Sequence, residues 1–287
     1  MSSLINIPDF LINDLNLNEI SKLKKLSLLI YGKVMSIFLK LPSQKVIIFV
    51  LNLMYGKSGN LIKEGSLYVK EYSQNGKIYY PNTRYLRVAK GVDYQFNKIL
   101  SDYCIEELNL KSGNTVIDCG ANVGELYLAL KYKNIDVSYY AFEPDINSFE
   151  CLEKNIKDSN NLKNIGLSDR DGEATLYLGT STGDSSIEYF GSKTENIIET
   201  KRLDSFNFHE VHLLKIDAEG HELEVLKGAS DILNKINFIS VDYGLEKGLD
   251  QTSTIVEVTN YLYKNNFYLY EANLNRNVGL FKNKEIG

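Results

Sequence analysis

The 287-residue sequence contains no tryptophan, four prolines and three cysteines. The cysteines, Cys104, Cys119 and Cys151, lie far apart, and no two of them have the CxxC spacing of a zinc or redox motif. We therefore expect neither a zinc site nor a disulfide framework. Isolated thiols suit a reducing compartment, so the sequence favours a cytoplasmic protein.

The sequence also lacks a hydrophobic run long enough to cross a membrane. Its longest apolar run, residues 46–55 (VIIFVLNLMY), is shorter than the roughly 20 residues of a spanning helix. A secretory signal is not expected, because Asp9 and Asp14 fall in the first residues and no basic, apolar and cleavable segments follow in order.

An excess of basic residues is missing as well. The formal net charge is −5 and the isoelectric point is near 5.4, which argues against a nucleic-acid binder with a basic face. The length suffices for one large domain or for a domain with an appendage.

Residues 1–60 differ in character from the rest of the chain. Leucine and isoleucine recur at helical spacing, as at Leu23, Leu26 and Ile30, and lysines make the segment basic. The segment is predicted to be a helical extension with two alternative roles. It is expected either to pack on the rest of the chain or on a second copy of the chain, or to rest as an amphipathic element on the anionic inner face of a membrane.

The remainder is predicted to contain a hairpin followed by an α/β domain. Residues 66–80 alternate in polarity around Asn75-Gly76, a strong hairpin signal, which assigns residues 61–92 to a β-hairpin and connector. A helix is expected over 93–108. Beyond Thr115 strands and helices alternate, as in a doubly wound parallel sheet, with a third strand expected over 162–167 and a helix over 221–233. Residues 93–287 are therefore expected to form the principal domain.

The stretch Thr115–Glu125, TVIDCGANVGE, predicts a strand, a tight turn and a helix, which is how a nucleotide-binding α/β unit begins. Gly120 and Gly124 allow backbone to approach a ligand closely. The dinucleotide fingerprint would require glycine where Asn122 and Glu125 stand, which disfavours a nicotinamide dehydrogenase. Asp118 is better explained by a cationic or donor-bearing ligand, such as the amino group of S-adenosylmethionine (SAM).

Acidic residues follow the predicted strands, and ligands in open α/β sheets bind at that edge. These residues are Asp118, Glu143, Asp169, Asp217 and Asp242. Glu143 is placed to accept hydrogen bonds from both hydroxyls of a ribose, while Ser168 and Asp169 are expected near an adenine edge. After the fourth predicted strand, 211–216, three titratable residues crowd around a glycine at a helix start, namely Asp217, Glu219 and His221.

Four stretches in this order, TVIDCGANVGE, YAFEPD, NIGLSDRDGEATLYL and LLKIDAEGHELEVLKGA, resemble the FkbM family of SAM-dependent methyltransferases. The resemblance covers roughly residues 93–281. It implies a Rossmann-like class I methyltransferase fold, with a seven-stranded, mostly parallel sheet and an antiparallel edge strand. The antiparallel pair expected over 267–272 and 278–281 agrees with this. The VDYGLEKG motif also resembles the family's fifth-strand ending, with Asp242 at the acidic position and Tyr243 and Glu246 as further acceptor contacts.

The family implies O-methylation, often of sugar hydroxyls in surface glycans or of secondary metabolites. Gly120, Ala121 and Asn122 would line the methionine part of SAM, with Gly124 and Asp118 nearby. Asp217, Glu219 and His221 would face the methyl group and the acceptor hydroxyl.

We predict Asp217 or His221 as the base and Glu219 as an orienting residue. A purely structural role for each, with His221 as a helix cap, is the alternative. No metal is assigned, although Asp217, Glu219 and Asp242 form a conceivable site. The expected acceptor is a saccharide of a surface glycan, alternatively a small natural product. A non-catalytic SAM-binding scaffold is the alternative of a different class.

Overall fold

The computed structural model describes residues 7–12, 20–72, 76–157, 161–179 and 185–286. The chain divides into two compact units, Met1–Gln95 and Phe96–Gly287. The threefold division expected from the sequence stays a prediction.

Within its described residues, the first unit has helices followed by a three-stranded antiparallel sheet. Its elements are α1 (Asp9–Ile12), α2 (Lys22–Phe38), α3 (Gln44–Tyr55), β1 (Leu61–Glu64), β2 (Leu67–Glu71) and β3 (Lys77–Tyr80). Helix α2 ends at Phe38 and α3 begins at Gln44, so Pro42 lies in the break between the two helices. Strands β2 and β3 pair antiparallel, which confirms the hairpin, while Asn75 of its turn lies outside the described residues. Among the described residues, no helix is long and apolar enough to cross a membrane.

The second unit alternates strands and helices. Helix α4 (Val92–Asp102) runs into it, and the first half continues with β4 (Thr115–Cys119), α5 (Glu125–Tyr132), β5 (Ser138–Phe142), α6 (Ile146–Asn155), β6 (Leu162–Lys163), β7 (Gly166–Leu167), β8 (Gly172–Leu178), β9 (Ser185–Ser186) and β10 (Thr194–Lys201). The second half comprises β11 (Val211–Ile216), α7 (Glu222–Lys227), β12 (Ile236–Asp242), β13 (Leu245–Lys247), β14 (Thr252–Ser253), α8 (Ile255–Lys264), β15 (Phe267–Asn273) and β16 (Val278–Asn283).

A seven-stranded sheet in the order β15-β16-β12-β11-β4-β5-β6 organises this unit. Its neighbours are parallel except around β16, which runs antiparallel to both β12 and β15. The mostly parallel seven-stranded architecture is thus confirmed. The reversed strand lies one place in from the edge, because the final hairpin folds β16 back between β15 and β12.

Strand β11 shows why the centre of this sheet is stable. It lies between β4 and β12 and reads VHLLKI, with every residue buried except His212, which is half-buried. Continuous burial is typical of a central parallel strand that is covered on both faces. Lys215 is the one buried residue of this strand that carries a charge, and that charge must be compensated inside the protein.

Several predicted elements differ from the observed ones. The helix expected over 93–108 ends at Asp102, and the strand expected over 162–167 is two short strands in different sheets. The helix expected over 221–233 ends at Lys227. The next residue is Gly228, where a Cβ would lie 2.0 Å from the Ser168 carbonyl oxygen. Strand β10 was not predicted, since its residues are mostly exposed and carry no strong apolar pattern.

The turn from β4 to α5 requires glycine at two places. Gly120 has φ +72°, and a Cβ there would lie 1.9 Å from the carbonyl oxygen of Asp217. Gly124 has φ +83°, and its Cβ would lie 2.7 Å from Leu152 Cδ1 on α6. The turn is therefore pressed against the strand end of β11 on one side and against α6 on the other.

This packing predicts a large cost for Gly120→Ala. A positive φ costs an L-residue about 1–2 kcal/mol, and overpacking against backbone adds about 1–3 kcal/mol. The matched control is Gly113→Ala, because Gly113 also has positive φ but a Cβ there meets nothing within 4 Å. Urea unfolding should show Gly120→Ala to be clearly the more destabilising; equal losses would contradict the close approach.

Candidate active site

The register of the central strands brings four chain segments to one edge. Cys119 pairs with Phe142 on one side and with Ile216 on the other, and Ile216 pairs with Val241. The residues that follow these positions therefore form a row at the carboxyl edge of the sheet. That row consists of Glu143, Gly120, Asp217 and Asp242. Three of these are acids at the edge where open α/β sheets bind ligands.

Glu143 joins the turn after β4 to the turn after β5. Its Oε2 accepts the backbone N–H of Asn122 at 2.7 Å, and its Oε1 accepts the N–H of Asp145 at 2.8 Å. The side chain is buried, with 3% of its surface exposed. Glu143 thus defines the shape of the glycine turn, whatever else it binds.

Asn164 is a neighbour of Glu143 that the sequence analysis missed. Its Nδ2 donates to the carbonyl oxygens of Glu143 and Pro144, at 2.8 and 3.1 Å. It directly follows β6, the third parallel strand along the chain. The predicted strand ran on to Leu167, which hid this strand-end position.

Ser168 and Asp169, which were expected at the adenine edge, have other described contacts. Ser168 Oγ lies 3.0 Å from His221 Nε2, and the carbonyl oxygen of Asp169 accepts from Arg202 at 2.8 Å. Neither bond involves Glu143 or the glycine turn. A contact of these two residues with a cofactor stays a prediction.

Lys215 is the central charged group that sequence reasoning missed. The side chain is 5% exposed, and its Nζ lies 2.9 Å from Asp118 Oδ1 and 3.9 Å from Asp217 Oδ2. Nζ also donates to the carbonyl oxygens of Cys119 and Gly120, at 3.3 and 2.8 Å. Burial disfavours its charged form, but the two carboxylates outweigh burial and hold the pKa of Lys215 above its ordinary value.

Asp118 therefore has a cation within its own chain. The sequence analysis assigned that role to a ligand amino group, whereas the structure places Lys215 there, and Tyr139 donates its hydroxyl to Asp118 Oδ2. Only 1% of Asp118 is exposed. Asp118 and Lys215 support the glycine turn from the side of the sheet.

Asp217 is positioned by Tyr103, a residue without any sequence signal. The Tyr103 hydroxyl donates to Asp217 Oδ2, and the Tyr103 ring lies 5.1 Å from Lys215 Nζ. Burial and the charge of Asp217 raise the pKa of Tyr103 well above its ordinary value. The phenol therefore stays protonated at neutral pH and remains a donor to Asp217.

Around Asp217 the structure gathers further acids. Carboxylate oxygens of Asp217, Glu219 and Glu246 all lie within 4.8 Å of one another, a spacing that would also admit a cation. Burial, followed by the charge of Asp217, raises the pKa of Glu246 to about 7. We refer to these three residues as the carboxylate cluster.

Asp242, which the sequence suggested as a third ligand of a conceivable metal site with Asp217 and Glu219, pairs with Arg276. Its Oδ2 lies 3.0 Å from an Arg276 guanidinium nitrogen, and its Oδ1 accepts the N–H of Gly244 at 3.1 Å. Burial and the charge of Asp217 raise the pKa of Asp242 to about 8. Tyr243 is 5% exposed and packs in the hydrophobic core, so its predicted contact with an acceptor stays a prediction.

His221 stands at the N-cap position of α7, but its side chain makes no capping bond. Its Nε2 lies 3.0 Å from Ser168 Oγ, and its Nδ1 lies 3.0 Å from Glu188 Oε1. The hydrogen bond from His221 lowers the pKa of Glu188. The ring is buried, and through these two contacts His221 connects the segment after β9 to the start of α7. Its role as a base stays a prediction.

The Lys215 contacts predict a strong stability effect for Lys215→Met. Removing the cation leaves Asp118 and Asp217 buried without it, which costs about 3–5 kcal/mol. Adding Asp118→Asn to this variant should recover part of the loss. The control is Lys131→Met, because the Lys131–Asp136 pair is exposed and worth under about 1 kcal/mol. Equal unfolding free energies for both lysine variants would refute the role of Lys215.

Comparison with known proteins shows relatives that are named methyltransferases. The chain is 28% identical over 189 residues to methyltransferase sdnD of Sordaria araneosa, covering 51% of this chain and 73% of that protein. It is 30% identical over 139 residues to hexuronic acid methyltransferase AglP of Haloferax volcanii, covering 46% and 56%. It is 24% identical over 201 residues to 2-O-methyltransferase NoeI of Sinorhizobium fredii, covering 61% and 82%.

Among solved structures, the chain resembles the methyltransferase FkbM from Methylobacillus flagellatus KT, with a TM-score of 0.44 and 17% identity. That likeness covers 69% of this chain and 54% of the other. The sequence model of one protein family, the methyltransferase FkbM domain, matches residues 118–270, which is more than half of the sequence. These residues include the glycine turn, Glu143 and the carboxylate cluster. The chain belongs to the FkbM methyltransferase family.

Proposed function

We propose that this chain is a SAM-dependent O-methyltransferase whose acceptor is a saccharide hydroxyl. The observation that carries the proposal is the carboxylate cluster, which begins one residue after β11, where the Asp217 carbonyl oxygen touches Gly120 of the glycine turn. A nucleotide site and a set of hydroxyl acceptors thus share one strand end. Carboxylates are strong acceptors for sugar hydroxyls.

The glycine turn fits the methionine and ribose parts of SAM. Gly120, Ala121, Asn122 and Gly124 form a tight turn at the carboxyl edge of the sheet, where open α/β sheets bind their ligands. A carboxylate oxygen accepts more than one hydrogen bond, so Glu143 can bind both ribose hydroxyls while it holds the turn. Asp118, with Lys215, supports this turn, and Asn164 is a further candidate beside the adenosine. Ser168 and Asp169 remain candidates for the adenine edge.

When bound, SAM supplies an activated methyl group on a sulfonium. The residues of the chain then have to align the acceptor oxygen and to take its proton. We assign the proton to the carboxylate cluster. Glu246 has the pKa best matched to neutral pH, and Asp217, held by Tyr103, orients the hydroxyl together with Glu219. His221 is a positioning residue in this scheme.

The charge of the cluster favours a neutral sugar over a uronate. Asp217, Glu219 and Glu246 would repel an acceptor carboxylate, and Arg276 is paired with Asp242. AglP is named for a hexuronic acid and NoeI for 2-O-methylation, so saccharide acceptors agree with these relatives. A small natural product is the alternative acceptor, and a SAM-binding scaffold the alternative outside catalysis.

The acceptor is tested by methyl incorporation from labelled SAM into three sets of compounds: neutral glycosides, uronic-acid glycosides and phenolic natural products. We expect incorporation into neutral glycosides. Calorimetry with SAM and S-adenosylhomocysteine belongs to the same experiment. If neither compound binds, the enzyme proposal is refuted. Binding without turnover favours the scaffold, and turnover of phenols alone favours a natural product as the acceptor.

Glu143→Ala should weaken SAM binding by about 1–3 kcal/mol, because two charge-assisted hydrogen bonds to ribose are lost. Since Glu143 also holds the turn, Glu143→Gln is measured alongside it, as it keeps one acceptor oxygen. Glu153→Ala on the exposed face of α6 is the control. Unchanged calorimetric affinity in a folded Glu143→Ala protein would remove Glu143 from the ribose site.

The pH profile tests the proton acceptor. The pKa of Glu246 is raised to about 7, so Glu246 is protonated below that pH and cannot take the acceptor proton. Turnover should therefore fall as pH drops through about 7. Glu246→Gln should remove this inflection and lower kcat while SAM still binds, and Glu199→Gln, an exposed acid on β10, should change nothing. An unaltered profile in Glu246→Gln would exclude Glu246.

A further inference from the structure

The first unit carries an apolar stripe that faces solvent. On α2 and just beyond it, large apolar side chains recur at helical spacing, and they are the exposed ones. They are Leu23 (79% exposed), Leu26 (55%), Ile30 (61%), Val34 (58%), Ile37 (63%) and Leu41 (41%). Residues spaced in this way lie on one face of a helix.

Helix α3 repeats this arrangement. Val46, Phe49 and Leu53 are exposed by 46%, 63% and 72%, while Ile47, Ile48 and Leu51 of the same helix are buried. In α2, the buried residues are Gly32 and Met35, which lie off the exposed stripe. Each helix thus already has a buried face, and the exposed apolar residues form an additional one. We call these exposed residues of 23–53 the apolar face.

The charge around the apolar face has one sign. The sequence from residue 20 to residue 63 contains no aspartate or glutamate, although the whole chain has a net charge of −5. The segment contains eight lysines: Lys22, Lys24, Lys25, Lys33, Lys40, Lys45, Lys57 and Lys63. Lys22 and Lys33 on α2 and Lys40 just beyond its end recur at helical spacing, beside the stripe, and are exposed.

We propose that the apolar face binds the surface of an anionic lipid bilayer, with α2 and α3 lying in the interface. Apolar side chains would enter the boundary between head groups and acyl chains, and the flanking lysines would reach lipid phosphates. A second copy of the chain is the less suitable occupant, because it would bring an equally cationic surface into contact. The proposed attachment is peripheral, with both helices lying in the interface.

Flotation of the full chain with vesicles tests this proposal. Vesicles of phosphatidylcholine with a quarter phosphatidylglycerol should carry the protein at low salt, and vesicles of phosphatidylcholine alone should carry much less. About 0.5 M salt should weaken the binding, because it screens the lysines. Absence of the protein from anionic vesicles at low salt overturns the proposal.

Two sets of variants separate the apolar from the electrostatic part. Leu26→Ser, Ile30→Ser and Phe49→Ser combined should lower partitioning at least about tenfold. The matched control combines Ile197→Ser, Val256→Ser and Leu274→Ser, whose positions in the second unit are exposed by 67%, 69% and 83%. Lys22→Gln, Lys33→Gln and Lys40→Gln combined should lower partitioning to anionic vesicles about a hundredfold.

Circular dichroism checks that each variant folds, and light scattering measures the oligomeric state. Binding that survives both sets of variants, or that the controls weaken equally, overturns the proposal. A dimer that the serine variants dissociate, in a protein that does not bind vesicles, would identify a second copy as the occupant instead.

Discussion

The buried ammonium group of Lys215 is the interaction on which the second unit depends most. It lies under the turn between β4 and α5, where it binds the carbonyl oxygens of Cys119 and Gly120 and pairs with Asp118. It also lies 3.9 Å from Asp217, the first residue of the carboxylate cluster. One charge therefore stabilises the glycine turn and the acidic strand end together, in a strand whose other residues, apart from His212, are apolar.

The same arrangement explains how several acids are tolerated in a small volume. Lys215 compensates Asp118, and Arg276 pairs with Asp242. Burial, followed by repulsion from the charge of Asp217, raises the pKa of Glu246 to about 7 and that of Asp242 to about 8. Protons thus take the place of further cations, and a group that exchanges a proton near neutrality stands beside the proposed acceptor site.

Two side chains that the sequence singled out for a functional role also hold loops in place. His221 connects Ser168 to Glu188, and Glu143 connects the turns after β4 and β5. In the first unit, α2 and α3 expose apolar residues and lysines to solvent. This favours the proposed binding to a membrane surface over a purely structural role for these helices.

The sequence by itself determined the order of the elements, the glycine turn and the acids at the strand ends. These follow from local rules, namely alternating patterning, glycine where φ is positive, and polar residues where buried strands stop. The family also follows from these motifs, because they occur together in one order.

Only the tertiary structure decided which of these acids face one another and what compensates them. Lys215 and Tyr103 lie in apolar stretches that predict strand and helix and give no sign of their partners across the sheet. The division of residues 162–167 between two sheets and the pairing of β10 arise from contacts distant in sequence. Such contacts depend on register and crossover, which local patterns do not encode. The contacts of His221 with Ser168 and Glu188 are of this kind.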